Sequence, residues 1–215
     1  MSTAKAWKAD AAHAKLTLTD IDLGPLQADE VEIDVAYCGL CHSDLSIVNN
    51  DWGLTQYPVV PGHEAVGKIV AIGSAVKNLQ IGQVVGVGWN AESCMYCDDC
   101  ITGEHQLCRS LTPTIVGHDG GFAERIRSHW AWAIPLPESM DLSSAGPLLC
   151  AGATVFAPLL NFDIKPTDHI GIVGIGGLGH LALKFARAWG CEVTAFTSTD
   201  AKADEAREFG AHNVI

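Results

Sequence analysis

The chain has 215 residues and a formal net charge of −12, and 48% of its residues are hydrophobic while 18% are charged. This length allows one large domain or two small ones, and it suffices for a buried core. The acidic balance argues against nucleic acid as a partner, and the lack of a signal peptide and of an unbroken apolar run predicts a cytoplasmic protein outside membranes.

Short strands are predicted through the first part of the chain. Val31–Val35 alternates apolar and acidic residues, as a half-buried strand does. Val66–Gly73 and Val84–Val87 are rich in Val and Ile and contain Gly, and strand-like segments recur at Phe122–Ile126 and Trp130–Ile134. Closely spaced strands with Gly at their bends predict a small antiparallel β-barrel or sandwich.

Two short segments between these strands carry candidate metal ligands. Cys41 offers a thiol and His63 an imidazole, and both groups suit zinc. Asp44 could accept the N–H of His63 that does not bind metal, or it could be an acidic residue at a helix N-terminus. Ser43 could transfer a proton or cap a helix. Glu64 could lie beside the metal or bind it when water leaves.

Half of the eight cysteines lie between positions 94 and 108, with the spacing C-x2-C-x2-C-x7-C. They are Cys94, Cys97, Cys100 and Cys108. Four thiolates in a tetrahedron leave no open position, which indicates a structural zinc site in a loop without a core of its own. Iron in an iron–sulfur centre is the alternative. Cys38 and Cys191 lie in apolar surroundings and are expected to be buried and inert.

Cys150 is the candidate third ligand of the first site. It follows a Pro-rich stretch at 135–147 and precedes a predicted helix that ends at Leu160. Two thiolates and a neutral imidazole balance the charge of Zn²⁺ and leave one position for water or substrate. Zinc with an open position polarises a carbonyl or stabilises an alkoxide. Cys41, His63 and Cys150 therefore predict a catalytic zinc.

The last part of the chain alternates strands and helices. The predicted elements are a strand at His169–Val173, a helix at His180–Trp189, a strand at Glu192–Thr197, a helix at Ala201–Phe209 and the start of a strand at Ala211–Ile215. This order is half of a doubly wound α/β sheet. The chain stops there, so we expect it to lack the second half of that sheet.

A glycine-rich turn joins the first of these strands to its helix. It consists of Gly174, Ile175, Gly176, Gly177, Leu178 and Gly179. The form G-x-G-x-x-G between a strand and a helix is typical of a dinucleotide site, where N–H groups at the helix start face the pyrophosphate. The second strand ends in Thr197, Ser198 and Thr199, and Lys202 follows. Hydroxyls and a cation favour the 2′-phosphate of NADP(H), while Asp200 keeps NAD open as the alternative.

These groups of residues, in this order, resemble the zinc-dependent medium-chain alcohol dehydrogenases. Within that family the chain is most similar to the cinnamyl-alcohol-dehydrogenase type and its bacterial aldehyde-reductase relatives, and the resemblance covers essentially the whole chain. The most specific stretches are C-G-L-C-H-S-D-L at 38–45, Y-P-V-V-P-G-H-E-A-V-G at 57–67, the four-cysteine segment, G-G-F-A-E at 120–124, P-L-L-C-A-G-A-T-V at 147–155 and V-G-I-G-G-L-G-H at 173–180.

The resemblance also implies roles for single residues. The catalytic zinc ligands would be Cys41, His63 and Cys150, with Glu64 beside them. Ser43 matches the relay hydroxyl next to the cofactor, and Thr154 matches a cofactor contact. Two departures stand out. Ser46 occupies a position where plant members often have a relay histidine, so the proton path is expected to use water or His42, and Ala201 replaces a frequent second lysine of the NADP-phosphate loop.

The fold implied is α/β overall, with a GroES-like, partly open β-barrel catalytic domain at 1–153 and an incomplete Rossmann NADP-binding domain at 154–215. The resemblance implies one catalytic and one structural Zn²⁺, NADP(H), a small alcohol or aldehyde substrate, and a homodimer once the cofactor domain is complete. Trp52, Trp89 and Phe122 could line an aromatic substrate pocket, although each suits the core equally well. The alternatives are an inactive zinc-binding fragment and an NAD-dependent polyol dehydrogenase of the same superfamily.

Overall fold

The computed structural model of the protein describes residues 3–215. The chain divides into two compact units, one that ends at Leu149 and one from Cys150 to Ile215. This division falls before the boundary that the sequence predicts after residue 153. The reason is local, because a helix begins at Ala151 directly after Cys150, and its Phe156 packs against Phe185 within the second unit.

The first unit consists of β-strands joined by loops and short helices. Its strands are β1 (Thr3–Lys8), β2 (Thr17–Asp22), β3 (Glu30–Cys38), β4 (Ala65–Ile72), β5 (Val84–Val87), β6 (Asn90–Glu92), β7 (Thr112–Pro113), β8 (Arg125–His129) and β9 (Ile134–Pro135). Its helices are α1 (His42–Asn49), α2 (Asp98–Ile101) and α3 (Leu142–Ala145), with 3-10 turns at His105–Leu107, Trp130–Trp132 and Gly146–Leu149. The five-stranded sheet has the order β8-β3-β4-β5-β9, and two-stranded sheets form from β1-β2 and β6-β7.

Strand β3 lies inside the five-stranded sheet, with antiparallel partners β4 and β8 on its two sides. Its inward residues Val31 and Ile33 pack with Ile69, Val85 and Ile126 in one buried apolar core. Two register shifts between β3 and β4 mark irregularities that bend the strands. Short, bent antiparallel strands around one core confirm the barrel-type fold predicted from the sequence.

Two predicted strands differ from the structure. The strand predicted at Phe122–Ile126 is observed at Arg125–His129, because residues 122–124 bond mainly to β1 while only the carbonyl of Glu124 reaches β3, where it accepts from Val35 at 3.0 Å. The N–H of Glu124 donates to the carbonyl of Lys5 at 2.8 Å. The segment Trp130–Ile134 is a 3-10 turn that leads into the two-residue strand β9.

A buried ion pair joins β3 to β8. The Nε and Nη2 groups of Arg127 donate to Oε2 of Glu32 at 3.0 and 2.7 Å. The Nη1 group donates to the carbonyls of Leu23 and Gly24 at 2.6 and 3.2 Å. Because every nitrogen of the guanidinium has an acceptor, burial leaves this charge compensated. The pair also fixes the turn that follows β2.

The second unit has the strand–helix order predicted for a Rossmann-type half. Its elements are α4 (Ala151–Asn161), β10 (His169–Val173), α5 (Gly177–Trp189), β11 (Glu192–Phe196), α6 (Ala203–Glu208) and β12 (Asn213–Val214). The strands are parallel in the order β10-β11-β12. Leu183, Val193, Ala195 and Ala206 are buried in a core of their own. Helix α6 is shorter than predicted, since Asp200–Lys202 form a 3-10 turn before it.

Within residues 3–215, no single helix is long and apolar enough to cross a membrane. One bent pair, Leu142–Leu149 with Ala151–Asn161, reaches that length only when its two parts are taken together, and then by length and composition alone.

Candidate metal centres and cofactor turn

The structure brings Cys41, His63, Glu64 and Cys150 together. Each offers one ligand atom, and all four atoms lie within 4.8 Å of one another. His63 and Glu64 are buried, while Cys41 and Cys150 are half-buried. This spacing fits a single zinc ion with ligands at about 2.0 to 2.3 Å. The donor set is two thiols, an imidazole and a carboxylate, which is a set that zinc accepts.

Cys150 is positioned by the residue before it. Leu149 ends the first unit and lies closely over two glycines of the strand β5 region. A Cβ atom on Gly86 would be 2.5 Å from Cδ1 of Leu149, and one on Gly88 would be 2.6 Å from its carbonyl oxygen. A side chain at either position would displace Leu149. The two glycines therefore help to fix the position of the next residue, Cys150.

Asp44 connects the two segments that carry Cys41 and His63. Its Oδ1 accepts hydrogen bonds from Nδ1–H of His63 at 2.8 Å and from the N–H of Gly62 at 2.9 Å. Its Oδ2 accepts from the N–H of Cys41 at 3.1 Å, which completes a capping box at the start of α1. Because an ionised carboxylate only accepts, Nδ1 of His63 carries the hydrogen and Nε2 keeps a lone pair for metal. Both roles considered for Asp44 from the sequence therefore apply together.

Glycines make room for the buried carboxylate of Glu64. A Cβ atom on Gly39 would lie 1.9 Å from Oε2 of Glu64, and one on Gly146 would lie 2.6 Å from its carbonyl oxygen. Gly62 has a φ of +104°, which favours glycine, and a Cβ there would lie 2.5 Å from the nitrogen of Phe122. Sequence reasoning missed Gly39 and Gly146, since their importance depends on contacts with a distant part of the chain.

The predicted proton-relay residues stand at the start of α1. His42 is its first residue and is exposed, while Ser43 is its second and is half-buried. They lie between the ligand Cys41 and the buried Asp44 along the chain. The position is suitable for proton transfer near the cluster, and the role itself stays a prediction.

Two tryptophans are arranged next to His63. Trp89 meets the imidazole edge-to-face, with ring centroids 5.2 Å apart and planes at 82°. Trp52 meets Trp89 in the same manner at 6.1 Å and remains 46% exposed. Phe122 lines a different groove, together with Trp7. Of the three predicted aromatic residues, Trp52 and Trp89 are therefore the pair beside the cluster.

The four-cysteine segment forms a second cluster, in which the four sulfur atoms lie within 4.8 Å of one another. The sulfurs of Cys94 and Cys100 are 3.9 Å apart, and two sulfurs bound to tetrahedral zinc are separated by roughly 3.8 Å. The N–H groups of Cys97 and Cys94 donate to the sulfurs of Cys94 and Cys108 at 3.4 and 3.5 Å. None of the eight cysteines, all of which the structure describes, forms a disulfide. The geometry is that of a closed, four-thiolate site.

Electrostatics favour a cation between these sulfurs. The backbone N–H of Tyr96 is the main cause that lowers the pKa of Cys94 to about 7. At Cys97 the N–H of Cys100 lowers the pKa, but desolvation and the neighbouring thiols outweigh it and raise the pKa to about 12. The Cys94 thiol thus ionises near neutral pH, and its negative charge opposes the ionisation of Cys97 because like charges repel. A divalent cation removes that opposition.

Cys38 and Cys191 lie outside both clusters. Burial raises the pKa of the Cys38 thiol to about 12, and the carboxylates of Asp44 and Glu64 add to this rise. Burial also raises the pKa of Cys191, whose sulfur donates to the carbonyl of Lys165 at 3.3 Å. Both thiols therefore resist ionisation near neutral pH.

The glycine-rich turn follows β10 and opens α5, as predicted. Gly174 has a φ of +83°, and Gly176 is the N-cap of the helix. A Cβ atom on Gly179 would lie 2.1 Å from the carbonyl oxygen of Gly174, so only glycine lets the helix pack this closely on the turn. Free N–H groups at a helix start are suited to a phosphate.

A cavity of about 610 Å³ adjoins this turn. It is lined by Gly174, Gly176, Thr197, Ser198 and Lys202, among others. Nζ of Lys202 donates to the carbonyl of Ile175 at 3.3 Å, which places the ammonium at the edge of the turn. Thr197, Ser198 and Lys202, three of the residues predicted to hold the 2′-phosphate, thus line one cavity.

Other predicted cofactor residues lie outside that cavity. Thr199 is bonded within its own turn, where its carbonyl accepts from the hydroxyl of Thr197 at 2.7 Å. Asp200 opens the 3-10 turn and does not line the cavity. Thr154 is an exposed residue of α4, and its N–H donates to the carbonyl of Cys150 at 2.9 Å. The cofactor roles of Thr154 and Thr199 stay predictions.

Comparison with known proteins identifies two family models. The alcohol dehydrogenase GroES-like domain matches residues 27–138, and the zinc-binding dehydrogenase matches residues 177–215. The first model covers more than half of the chain and includes the four-cysteine segment. The second begins inside the glycine-rich turn.

Individual relatives agree with these models. Aldehyde reductase AdhA of Synechocystis sp. is 52% identical over 211 residues, which are 98% of this chain and 63% of that protein. A cinnamyl alcohol dehydrogenase structure from Sorghum bicolor has a TM-score of 0.95 at 38% identity and covers 100% of this chain and 64% of its own. The structure of CAD from Helicobacter pylori complexed with NADP(H) has a TM-score of 0.92 at 31% identity, with coverages of 99% and 64%. The chain therefore spans less than two thirds of the length of these relatives, and it belongs to the zinc-binding alcohol dehydrogenase family with a GroES-like domain.

Proposed function

We propose that the protein interconverts primary alcohols and aldehydes by hydride transfer with NADP(H). The observation that carries this proposal is the cluster of Cys41, His63 and Cys150. Two thiolates and an imidazole would balance the charge of a bound Zn²⁺, and Glu64 would offer a fourth ligand that a substrate could displace. Similarity to an aldehyde reductase and to cinnamyl alcohol dehydrogenases supports the substrate class.

Bound zinc supplies a Lewis acid for the substrate oxygen, and NADP(H) supplies or accepts the hydride. The residues of the chain orient the metal ligand, transfer the proton and select the substrate. Asp44 holds His63 in the tautomer that leaves Nε2 without a hydrogen. Ser43 passes a proton to or from the substrate oxygen, and the exposed His42 or water continues the path to solvent. Trp52 and Trp89 favour an apolar or aromatic substrate.

The cavity beside the glycine-rich turn supports NADP(H) as the cofactor over NAD. Lys202 supplies a positive charge and Thr197 and Ser198 supply hydroxyls, while the carboxylate of Asp200 does not line the cavity. These groups complement a 2′-phosphate. A polyol dehydrogenase that uses NAD would need an acid on the adenosine ribose at this place.

Further parts of the proposal rest on the family resemblance. The four-cysteine cluster holds a structural zinc, which a family of zinc-binding dehydrogenases makes a better candidate than iron. The protein is cytoplasmic. With a complete cofactor domain, as its relatives have, it forms a homodimer.

The test compares Cys150→Ser with the unaltered sequence, both in a protein of the full length of its relatives, in NADPH oxidation with benzaldehyde. We expect Cys150→Ser to fall to background, since a hydroxyl is a poor zinc ligand. Cys191→Ser is the matched control, because its hydroxyl can make the same bond to Lys165 away from both clusters. A Cys150→Ser protein that keeps most of its activity would show that the ligand assignment is wrong.

The same assay separates the alternatives. Turnover of NADPH and benzaldehyde by the 215-residue chain would rule out the alternative of an inactive zinc-binding fragment. Preference for NADH over NADPH would replace the cofactor assignment and favour the polyol-type enzyme.

A further inference from the structure

Thr114 is a completely buried polar residue to which the proposed reaction assigns no role. It directly follows β7 in the first unit. Its hydroxyl donates to the carbonyl of Gly88 at 2.6 Å, and its backbone N–H donates to the carbonyl of Trp89 at 2.8 Å. One residue therefore bonds to two consecutive carbonyls, and the second of them belongs to the tryptophan whose ring lies beside His63.

Gly88 and Trp89 form the link between two strands. Strand β5 ends at Val87 and β6 begins at Asn90, so the link lies outside both strands. Gly88 is buried and Trp89 is half-buried. A buried carbonyl without a donor carries its full desolvation penalty, so backbone groups of such a link need partners from elsewhere in the chain. Thr114 supplies both donors, and the path of the link depends on it.

The ring of Trp89 forms a wall next to the candidate catalytic metal cluster. On one side it packs against a buried apolar cluster that includes Ile47 of α1 and Ile115. It also meets the imidazole of His63 edge-to-face, with ring centroids 5.2 Å apart, and the ring of Trp52 at 6.1 Å. A small shift of the backbone at this tryptophan would therefore change the surface next to a metal ligand.

The two rings that Trp89 contacts have anchors of their own. His63 is held by Asp44, whose Oδ1 accepts from Nδ1–H at 2.8 Å. The loop that carries Trp52 is held to α1 by Thr55, whose hydroxyl donates to a carbonyl of that helix at 2.5 Å. The position of Trp89 can therefore change while both neighbouring rings stay in place.

We propose that Thr114 is a positioning residue that acts through Trp89 and sets a preference for aromatic over small aliphatic aldehydes. This inference rests on the proposed function. An aromatic aldehyde whose oxygen reaches the cluster can pack its ring against the tryptophan, and such contacts depend on the distance and angle between the rings. A small aliphatic aldehyde has no ring and gains little from the same wall. Thr114 itself is buried behind the wall and touches no substrate.

The first test measures the position of the Trp89 ring without turnover. The ring C–H signals of His63 are recorded by NMR in the whole 215-residue chain loaded with zinc, because an adjacent indole ring shifts them. Trp89→Leu gives the signals in the absence of that ring. We expect Thr114→Val, which loses the hydroxyl, to move the signals towards the Trp89→Leu values. Thr114→Ser, which keeps the hydroxyl, should leave them in place.

The second test measures substrate preference in a protein of the full length of its relatives. The quantity compared is the ratio of kcat/KM for benzaldehyde to kcat/KM for acetaldehyde, with NADPH. We expect Thr114→Val to lower this ratio about 2- to 10-fold, mainly through a higher KM for benzaldehyde, since this range corresponds to one aromatic contact. Thr114→Ser should keep the ratio. The zinc content should stay the same in both variants, because Asp44 positions His63.

Thr112→Val is the matched control. It makes the same substitution two residues earlier, within β7, where Thr112 pairs with Glu92 of β6. It should leave both the His63 signals and the ratio unchanged. A circular dichroism spectrum of each variant tests its fold, and Thr114→Ala is measured in place of Thr114→Val if the valine variant does not fold.

Each part of the proposal has a result that would overturn it. His63 signals that stay in place when the Thr114 hydroxyl is removed would show that this residue does not position Trp89. An unchanged ratio in an active Thr114→Val protein would remove its role in selectivity. If the unaltered full-length protein turns over neither aldehyde, the proposed function fails instead, and the His63 signals still decide whether Thr114 positions the ring.

Discussion

Asp44 is the residue on which the geometry of the open metal cluster depends. Its two oxygens accept from three N–H groups, those of His63, Gly62 and Cys41, at 2.8 to 3.1 Å. We expect Asp44→Asn to weaken zinc binding at this cluster about 10- to 100-fold. The new NH2 group would face one of these donors, and His63 would lose the partner that fixes its ring. Competition with a chromogenic chelator measures the affinity and the number of bound zinc ions.

Asp51→Asn provides the control for this prediction, because it makes the same change at an exposed carboxylate just after α1. It should leave zinc binding as it is. Asp44→Asn should also leave the four-cysteine cluster intact, since the hydrogen bonds of Asp44 go to Cys41, Gly62 and His63. If the open cluster of Asp44→Asn binds zinc as tightly as before, Asp44 does not position the ligands.

At the scale of elements, the start of α5 depends on one close contact. A Cβ atom on Gly179 would lie 2.1 Å from the carbonyl oxygen of Gly174, whereas one on Gly177 would have no atom within 4 Å. We expect Gly179→Ala to lower the free energy of unfolding by about 1–3 kcal/mol, because the helix must move off the turn. Gly177→Ala, also in α5, should change it by less than about 1 kcal/mol. Urea unfolding followed by circular dichroism measures both.

Equal stability of the two variants would contradict this account, since it would mean that α5 can shift without cost. A further readout is NADPH binding, which Gly179→Ala should weaken more than Gly177→Ala, because the displaced N–H groups no longer face the phosphate.

Elements whose position depends on local pattern could be predicted from the sequence. Strands β5 and β10 occupy the predicted residues Val84–Val87 and His169–Val173, because alternation and apolar runs are properties of the segment itself. The strand predicted at Phe122–Ile126 begins three residues later than expected, since Glu124 pairs with Lys5 at the other end of the chain. Nothing in the local pattern reports such a partner.

The same distinction applies to the candidate site. Cys41, His63 and Cys150 could be identified because metal ligands are recognised by their chemistry and spacing. The need for glycine at position 39 could not be identified in this way. It arises from the carboxylate of Glu64, which lies next to Gly39 only in the folded chain.

At the scale of the whole molecule, the two units have separate apolar cores. Val31 and Ile69 belong to the core of the first unit, and Val193 and Ala195 belong to that of the second. Neither core includes a residue of the four-cysteine segment. The segment therefore depends on its metal for order, because metal-binding energy replaces the burial of apolar surface in a segment of this kind.

This arrangement predicts a graded response to the removal of zinc, measured by amide hydrogen exchange. With a strong chelator, we expect protection in residues 94–108 to fall about a hundredfold or more, since a structural zinc supplies most of the folding energy of such a loop. The amides of Val193 and Ala195 should keep their protection, because their core contains no ligand of either cluster. The same chelator saturated with zinc beforehand is the control and should change nothing. A uniform loss of protection across both units would instead show that the metal stabilises the chain as a single cooperative unit, and unchanged protection in 94–108 would show that the four cysteines hold no structural metal.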